Sequence, residues 1–392
     1  MLSVDYSKFP NAKVRGLRFT ILTSNEIRKS SACQVKHTTI CDKTLPKMFG
    51  PNDHRMGTVD RRMLCGLPEC EQNVDNCLGH DGHIELNWPM ILPGFMLTVP
   101  KLLRLTCYWE SHLMFDKKDE ENVQLLRQNE EQDYGKNLFT HIATVVKPHK
   151  ICPICQGPQP TYIKNGCLIE RKWAPDTKFA NDEEKAEAQR PFTTKTIQNI
   201  FSAISREDCE KLGWVVGEKN PLYQPAHMPI KIVDLEESKE DTKNPKKRLN
   251  STGLEGPKGP EEVHVATALD WGTHPSSIII DVLDVPPPVI RQTVLYSESG
   301  SARGQDDLTH RMQDITKAND KLAIQVEKET NAGTLETQGP SEELLDLALT
   351  VQSWIAIHMN NDSCAMKVAS SQRVLQQKSV RQRIVGSKKI HI

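Results

Sequence analysis

Cys65-Gly-Leu-Pro-Glu-Cys70, followed after six residues by Cys77-Leu-Gly-His80-Asp-Gly-His83, is the stretch on which the reading of this chain turns. Three thiols and a histidine fall within sixteen residues. Thiolate and imidazole are the ligands of tetrahedral zinc, and a closed set of four makes a structural site. Short spacing lets one turn present two groups to one metal at little cost in loop closure. Gly79 and Gly82 allow tight turns beside the ligands. The pattern C-x4-C-x6-C-x2-H assigns Cys65, Cys70, Cys77 and His80 to zinc, with His83 in a supporting position. Cys65 fits least well, because four residues separate the first pair where two are usual. The competing reading is a chance gathering of buried cysteines and surface histidines. This density of ligands in a reduced protein favours zinc.

A second group is sparser. Cys152-Pro-Ile-Cys155 is a C-x2-C knuckle that needs two partners, and Cys107 supplies one. A fourth thiol belongs three residues after Cys107, but Glu110 stands there. Glu110 or His112 completes a Cys3Glu or a Cys3His site; a site that has lost its metal and is held by packing is the alternative. A redox role for Cys152 and Cys155 lacks the surrounding βαβ pattern.

The 392 residues suffice for two or three domains. Apolar residues reach 37% and aromatic residues 5%, so an extended, subunit-like shape is easier to support than one large core. Lys and Arg number 50 against 51 Asp and Glu, so only local charge can point to a nucleic acid. Eleven cysteines, five of them scattered at Cys33, Cys41, Cys167, Cys209 and Cys364, argue for a reducing compartment and against a secreted disulfide framework. The N-terminus has no apolar signal core. Pro89, Pro93, Pro100, Lys101 and Arg104 interrupt the apolar run from Trp88 to Leu105, which argues against a membrane span.

Val14 to Ser24 reads as a strand leading into a short helix near Glu26. Lys117 to Asp133 reads as a charged helix. Ile197, Ile200, Phe201 and Ile204 recur at helical spacing, and Ser205 caps a second short helix that stops at Gly213. Glu236 to Glu262 is polar and reads as a disordered insertion. Ile278 to Val285 reads as a buried strand ended by Pro286-Pro-Pro288, and Thr293 to Gln305 as a mobile loop. Leu308, Met312, Ile315, Leu322 and Val326, then Leu344, Leu347, Val351 and Trp354, mark two helices joined by Thr330 to Pro340. Their spacing predicts an antiparallel hairpin sealed along one apolar stripe. Cys364 to Ile392 carries Lys367, Arg373, Lys378, Arg381, Arg383, Lys388 and Lys389 and no acidic residue, a pattern suited to phosphate contacts.

Several of these segments carry a resemblance, in one order. They are Arg55-Met-Gly-Thr-Val-Asp60, Cys77-Leu-Gly-His80-Asp-Gly-His83-Ile84, Gln159-Pro160 with Lys164-Asn165-Gly166, Glu207-Asp208-Cys209-Glu210-Lys211-Leu212-Gly213, Val285-Pro-Pro-Pro-Val289, Arg303-Gly304-Gln305-Asp306-Asp307-Leu308-Thr309, Asn361-Asp362 and Lys378-Ser379-Val380-Arg381-Gln382-Arg383. Together they resemble the N-terminal part of the largest, β′-like subunit of multisubunit RNA polymerases of archaeal, eukaryotic and large-DNA-virus type. The match runs from about Val14 to Gly386.

The resemblance implies an α+β fold: a zinc-containing polymerase clamp with a protruding antiparallel helical coiled-coil hairpin. It divides the chain into an N-terminal segment (1–60), a zinc-binding clamp head (61–175), clamp helices (176–235), an insertion (236–275), a strand and lid-like loop (276–305), the hairpin (306–363) and a basic rudder-like segment (364–392). It implies zinc on Cys65, Cys70, Cys77 and His80, and a possible second zinc on Cys107, Glu110, Cys152 and Cys155. It further implies nucleic-acid contacts by Arg303, Lys378, Arg381, Arg383, Lys388 and Lys389. The implied partners are the second-largest subunit and the other polymerase subunits, template DNA, the RNA–DNA hybrid, and initiation and elongation factors on the hairpin. The compartment is the nucleus, or the cytoplasm or virion of a viral member. In this family an N-A-D-F-D-G-D loop holds the catalytic Mg2+. No such run occurs here, so a split gene or a truncated product is expected and the chain alone is inactive. A stand-alone zinc-dependent nucleic-acid-binding transcription factor is the alternative; a RING-type adaptor lacks enough ligands at the right spacing.

Overall fold

The structure, a computed structural model, describes residues 21–42, 45–61, 63–130, 138–179, 181–212, 274–291, 294–295, 303–337, 339–361 and 378–384. Helix α1 (Ser24–Ser30) starts from a reciprocal cap. The Thr23 hydroxyl accepts from the Glu26 N–H at 3.2 Å, and the Glu26 carboxylate accepts from the Thr23 N–H at 2.7 Å. Short strands β1 (Cys33–Gln34), β2 (Cys41–Asp42) and β3 (Leu45–Pro46) precede the long strand β4 (Gly82–Ile91). Next come α2 (Thr98–Leu105), α3 (Lys117–Glu130), α4 (Leu138–Val145) and the hairpin of β5 (Thr161–Asn165) with β6 (Leu168–Lys172). Helices α5 (Asp182–Gln189), α6 (Thr194–Ser202) and α7 (Arg206–Lys211) lead to β7 (Ile279–Val285). The pair β8 (Val294–Leu295) and β9 (Arg303–Gly304) precedes α8 (Asp307–Asn331), α9 (Thr334–Thr337), α10 (Glu342–Met359) and α11 (Val380–Ile384). The mixture of helix and sheet agrees with the α+β reading.

Strand β4 lies between β1, parallel to it, and β7, antiparallel. Its Ile84, Leu86, Trp88 and Met90 are buried at alternate positions, the period of a strand. Gly82 opens the strand because a side chain there would meet Met56 Sδ at 2.4 Å. Close packing, and not the turn that the sequence suggests, selects this glycine. Pro89 has no N–H for the ladder, and the register slips beside it: Glu85 faces Val282, whereas Met90 faces Ile280. Amide side chains from the helices serve the freed backbone. Asn319 accepts from the Asn87 N–H at 3.0 Å and donates to the Glu85 carbonyl at 2.8 Å. Gln352 accepts from the Ile91 N–H and donates to the Ile91 carbonyl, both at 2.7 Å.

Two apolar clusters flank this strand. One joins β4 and β7 to Leu308, Met312, Ile315 and Leu322 of α8 and Leu344, Ala348, Val351 and Ile355 of α10. The other joins α2, α4, β5, β6, α6 and α7 through residues such as Leu102, Ile142, Tyr162, Ile169, Phe201 and Cys209. The chain reverses between α8 and α10, where Glu329 near the end of α8 accepts from Ser341, the N-cap of α10. The apolar stripe of α10 differs from the one read in the sequence. Leu347 and Trp354 are half-buried, while Ala348 and Ile355 fill the centre. The reason is that α10 also packs Leu349 and Ala356 against the other cluster, and a helix covered on two sides shows no single stripe.

Other readings are met directly. The Ser205 hydroxyl accepts from the Asp208 N–H at 3.1 Å and starts α7. Ile197, Ile200, Phe201 and Ile204 are all buried. The strand read from Ile278 to Val285 is β7, and the charged helix is α3. Residues 14–20 of the expected first strand, 236–273 of the insertion, most of the loop from Thr293 to Gln305, and 364–377 with 385–392 of the basic tract lie outside the described residues. Among the described residues, no helix is long and apolar enough to cross a membrane.

The Gln352 pair is testable. Gln352→Leu keeps the volume of this buried side chain but strips both Ile91 backbone groups of their partner. Chemical denaturation of the full chain is expected to show a loss of about 1–3 kcal/mol for each unsatisfied group.

Candidate metal centres

The first centre is built just ahead of β4. Asp53, fully buried, accepts from the Phe49 N–H at 2.5 Å, from the Arg55 N–H at 3.0 Å and from the Arg55 guanidinium at 2.6 Å. These bonds hold the Asp53 carboxyl below the usual carboxylate range despite its burial. The turn at His54–Met56 then hands the Met56 carbonyl to the His80 N–H at 2.9 Å. Gly79 has φ +88°, and a side chain there would meet Pro287 Cβ at 2.7 Å, so both conformation and space demand glycine.

In this setting one ligand atom from each of Cys65, Cys70, Cys77 and His80 lies within 4.8 Å of the others. Cys77 Sγ and His80 Nε2 are 3.7 Å apart. Around a tetrahedral zinc the S–N edge is about 3.6 Å and the S–S edge about 3.8 Å, so the donor set fits this metal. His83 is not in the group: its Nδ1 meets Ser31 Oγ at 2.7 Å and its Nε2 lies 3.5 Å from Glu85.

The second centre joins two loops with the same backbone frame. In one, the Cys107 N–H donates to the His112 carbonyl at 2.8 Å, the Ser111 N–H donates back to the Cys107 carbonyl at 3.0 Å, and Ser111 has φ +59°. In the other, the Cys152 N–H donates to the Gly157 carbonyl at 2.9 Å, the Gln156 N–H donates back at 3.0 Å, and Gln156 has φ +59°. The first centre uses a longer version, in which the Cys65 N–H reaches the Gln72 carbonyl at 2.8 Å and Glu71 takes the positive φ of 45°. Two additional residues in the loop account for C-x4-C where C-x2-C is usual.

Cys107, His112, Cys152 and Cys155 bring their ligand atoms within 4.8 Å of one another. Cys107 and Cys155 sulfurs are 3.5 Å apart, and His112 Nε2 is 3.1 Å from Cys152 Sγ. The structure therefore brings His112, not Glu110, to the three thiols. Positions 107 and 112 face each other across the loop, closed by the bridge between Thr106 and Leu113, while Glu110 sits at its tip with a side chain 58% exposed. Its Oε2 lies 3.3 Å from His112 Nδ1, on the side of the ring away from the sulfurs. Gln159 adds a donor, with Nε2 3.3 Å from Cys107 Sγ, and its Oε1 accepts from the Tyr108 N–H at 2.9 Å.

Burial pushes the Cys107 thiol up to about 12, against the backbone N–H groups of Glu110 and Trp109 that favour thiolate. Burial likewise pushes the Cys65 thiol up to about 12, against the Leu67 N–H. Such sites release protons when a metal takes the thiolates, which couples metal binding to pH and to folding. A third group, Asp116, Asp119 and His149, is a helix start: the Asp119 N–H donates to Asp116 at 2.8 Å, and His149 pairs with Asp119 at 3.0 Å.

A family model described as RNA polymerase Rpb1, domain 1, matches residues 11–233 and 235–389. The chain belongs to this family. It is the N-terminal portion of the largest RNA polymerase subunit.

In this Rpb1 domain the basic residues read from the sequence fall into different settings. Arg381 is exposed on α11. The Lys378 N–H donates to Asp307 at 3.0 Å. Arg383 is hydrogen-bonded to Asp306, the N-cap of α8, and so ties the segment to that helix. Only the backbone of Arg303 is described, in β9, and Lys388 and Lys389 lie outside the described residues. No sequence pattern marks Arg291, yet it is buried and donates to Pro286 and Pro51 carbonyls at 2.7 Å and to Asn52 and Thr309 at 3.0 Å. One guanidinium thus joins the loop before the first centre, the end of β7 and the start of α8.

Asp53→Asn keeps the shape of the hub and removes its charge. The depressed carboxyl stabilises the fold above its ordinary titration range and ceases to do so as pH falls through its lowered value. The variant is expected to lose about 1.5–3 kcal/mol at pH 7. The difference from the parent should shrink below about pH 4, read by denaturation across an acid series.

Proposed function

We propose that this chain forms the clamp of a DNA-directed RNA polymerase, the part of the largest subunit that holds template DNA and the RNA–DNA hybrid. The observation that carries this reading is the Rpb1 domain match along the chain, combined with two Cys3His groups, one just before β4 and one between the loops that follow α2 and precede β5. Cys65, Cys70, Cys77 and His80 hold one zinc ion, and Cys107, His112, Cys152 and Cys155 hold the other. Zinc supplies cross-links between loops there and takes no part in phosphoryl transfer.

We assign 61–175 to the metal-bearing head and 306–363 to a coiled-coil hairpin built on α8 and α10. On the strength of the family match we assign this hairpin a docking role for initiation and elongation factors. Lys378 and Arg381 contact nucleic-acid phosphates without reading sequence, as an enzyme that transcribes any template requires, while Arg383 anchors their segment. These 392 residues contain no N-A-D-F-D-G-D run, so the groups that hold the catalytic Mg2+ lie outside them. The compartment is the nucleus, or the cytoplasm or virion of a viral polymerase.

Affinity purification from the native source is expected to recover the chain with a second-largest polymerase subunit. Recovery as a lone monomer overturns the proposal. Metal analysis should give two zinc ions per chain, with Cys77→Ser and Cys152→Ser each removing one. Replacing Lys378 and Arg381 with Gln should weaken DNA binding uniformly across sequences and reduce the salt slope by about 1 for each lost contact.

A further inference from the structure

We propose that Glu110 is a positioning residue of the second metal centre, holding the His112 ring so that Nε2 faces the three thiols. The inference rests on the reading of that centre as a zinc site.

The two loops of the centre share one hydrogen-bond frame, and the frame defines equivalent positions. Three residues after Cys152 it presents Cys155 to the group; three residues after Cys107 it presents Glu110. A thiol at that position ligates directly. Here the glutamate turns outward, and the ligand comes from His112, two residues further on and across the loop from Cys107. An imidazole needs more help than a thiol. Its ring must be turned to the right angle, and its proton must sit on the nitrogen that does not ligate. The Glu110 carboxylate stands where it can serve both needs: its Oε2 lies 3.3 Å from Nδ1, and a small turn of this exposed side chain lets it accept the Nδ1–H and leave the Nε2 lone pair for the metal. Nε2 already lies 3.1 Å from Cys152 Sγ on the other side of the ring.

Charge supports the same pairing. Replacing one of four thiolates by a neutral imidazole removes one negative charge from the ligand set. Glu110 restores that charge beside it, on the far side of the His112 ring. Two residues, one ligating and one aiming, thus do what a single cysteine does in the partner loop.

The test uses the full zinc-loaded chain and its variants Glu110→Ala, Glu110→Gln and His112→Ala. Chelator competition reads each site, and nitrogen NMR reads the exchange of the His112 Nδ1–H. Glu110→Ala is expected to bind two zinc ions, with affinity at the second centre reduced about 10- to 100-fold, the first centre unchanged and the Nδ1–H exchanging faster. Glu110→Gln, whose amide oxygen accepts the same bond without the charge, should fall between the parent and Glu110→Ala. His112→Ala should lose one zinc. Cobalt substituted into the parent and into Glu110→Ala should give the spectrum of three sulfurs and one nitrogen in both. If Glu110→Ala holds the second zinc as tightly as the parent, or Glu110→Gln is as weak as Glu110→Ala, the positioning role is overturned while the metal site stands. A parent chain with one zinc that His112→Ala does not alter overturns the metal site itself.

Discussion

The pairing of β4 with β7 is the constraint on which the other parts depend. It joins residues 82–91 to residues 279–285, which lie far apart in the chain. The first metal group ends at His80, just before β4, and Pro287, which packs on Gly79, follows just after β7. The metal loop is therefore held between the start of one strand and the end of the other. At the far end of β4, Gln352 of α10 takes the place of a neighbouring strand for Ile91. Closing so long a loop costs chain entropy that grows only slowly with length, and apolar contacts on both faces of the sheet offset it.

The metal loops solve a different problem. They are short, and beyond a small buried cluster of Cys107, Met114 and Cys152 they offer little apolar surface to hold them. Each is instead fixed by backbone hydrogen bonds that aim N–H groups at sulfur, with one non-glycine residue in the left-handed region at Glu71, Ser111 or Gln156. Strained backbone of this kind persists where the surroundings over-determine it. Burial favours the protonated thiol in these loops, and a metal that takes the thiolates displaces those protons and converts the side chains into cross-links.

Interior charge is handled by hydrogen bonding. Arg291 is enclosed by four acceptors from three separate segments, and Asp306 caps α8 while receiving Arg383 from α11. These bonds join the loop before the first centre, the end of β7 and the base of α8. Removing one acceptor of Arg291 leaves the N–H that faced it buried and unsatisfied, at a cost of about 1–3 kcal/mol.

Local chemistry was legible in the sequence. The ligand spacing from Cys65 to His80, the Ser205 cap, the strand ended by Pro286 and the helices around Leu308 and Leu344 each depend on neighbours a few residues away. The family resemblance was legible for the same reason, as it rests on contiguous motifs. What needed the tertiary structure was every choice between partners remote in the chain. Spacing admitted Glu110 or His112 and the expected ligand set took Glu110, whereas the loop that places His112 opposite Cys107 brings the imidazole to the thiols. Heptad spacing named Leu347 and Trp354, whereas packing of α10 against two clusters buried Ala348 and Ile355. Arg291 carried no pattern at all, because the groups that satisfy it come from residues 51, 52, 286 and 309. A sequence determines which groups are near in the chain; only folding determines which are near in space, and burial then sets what each one does.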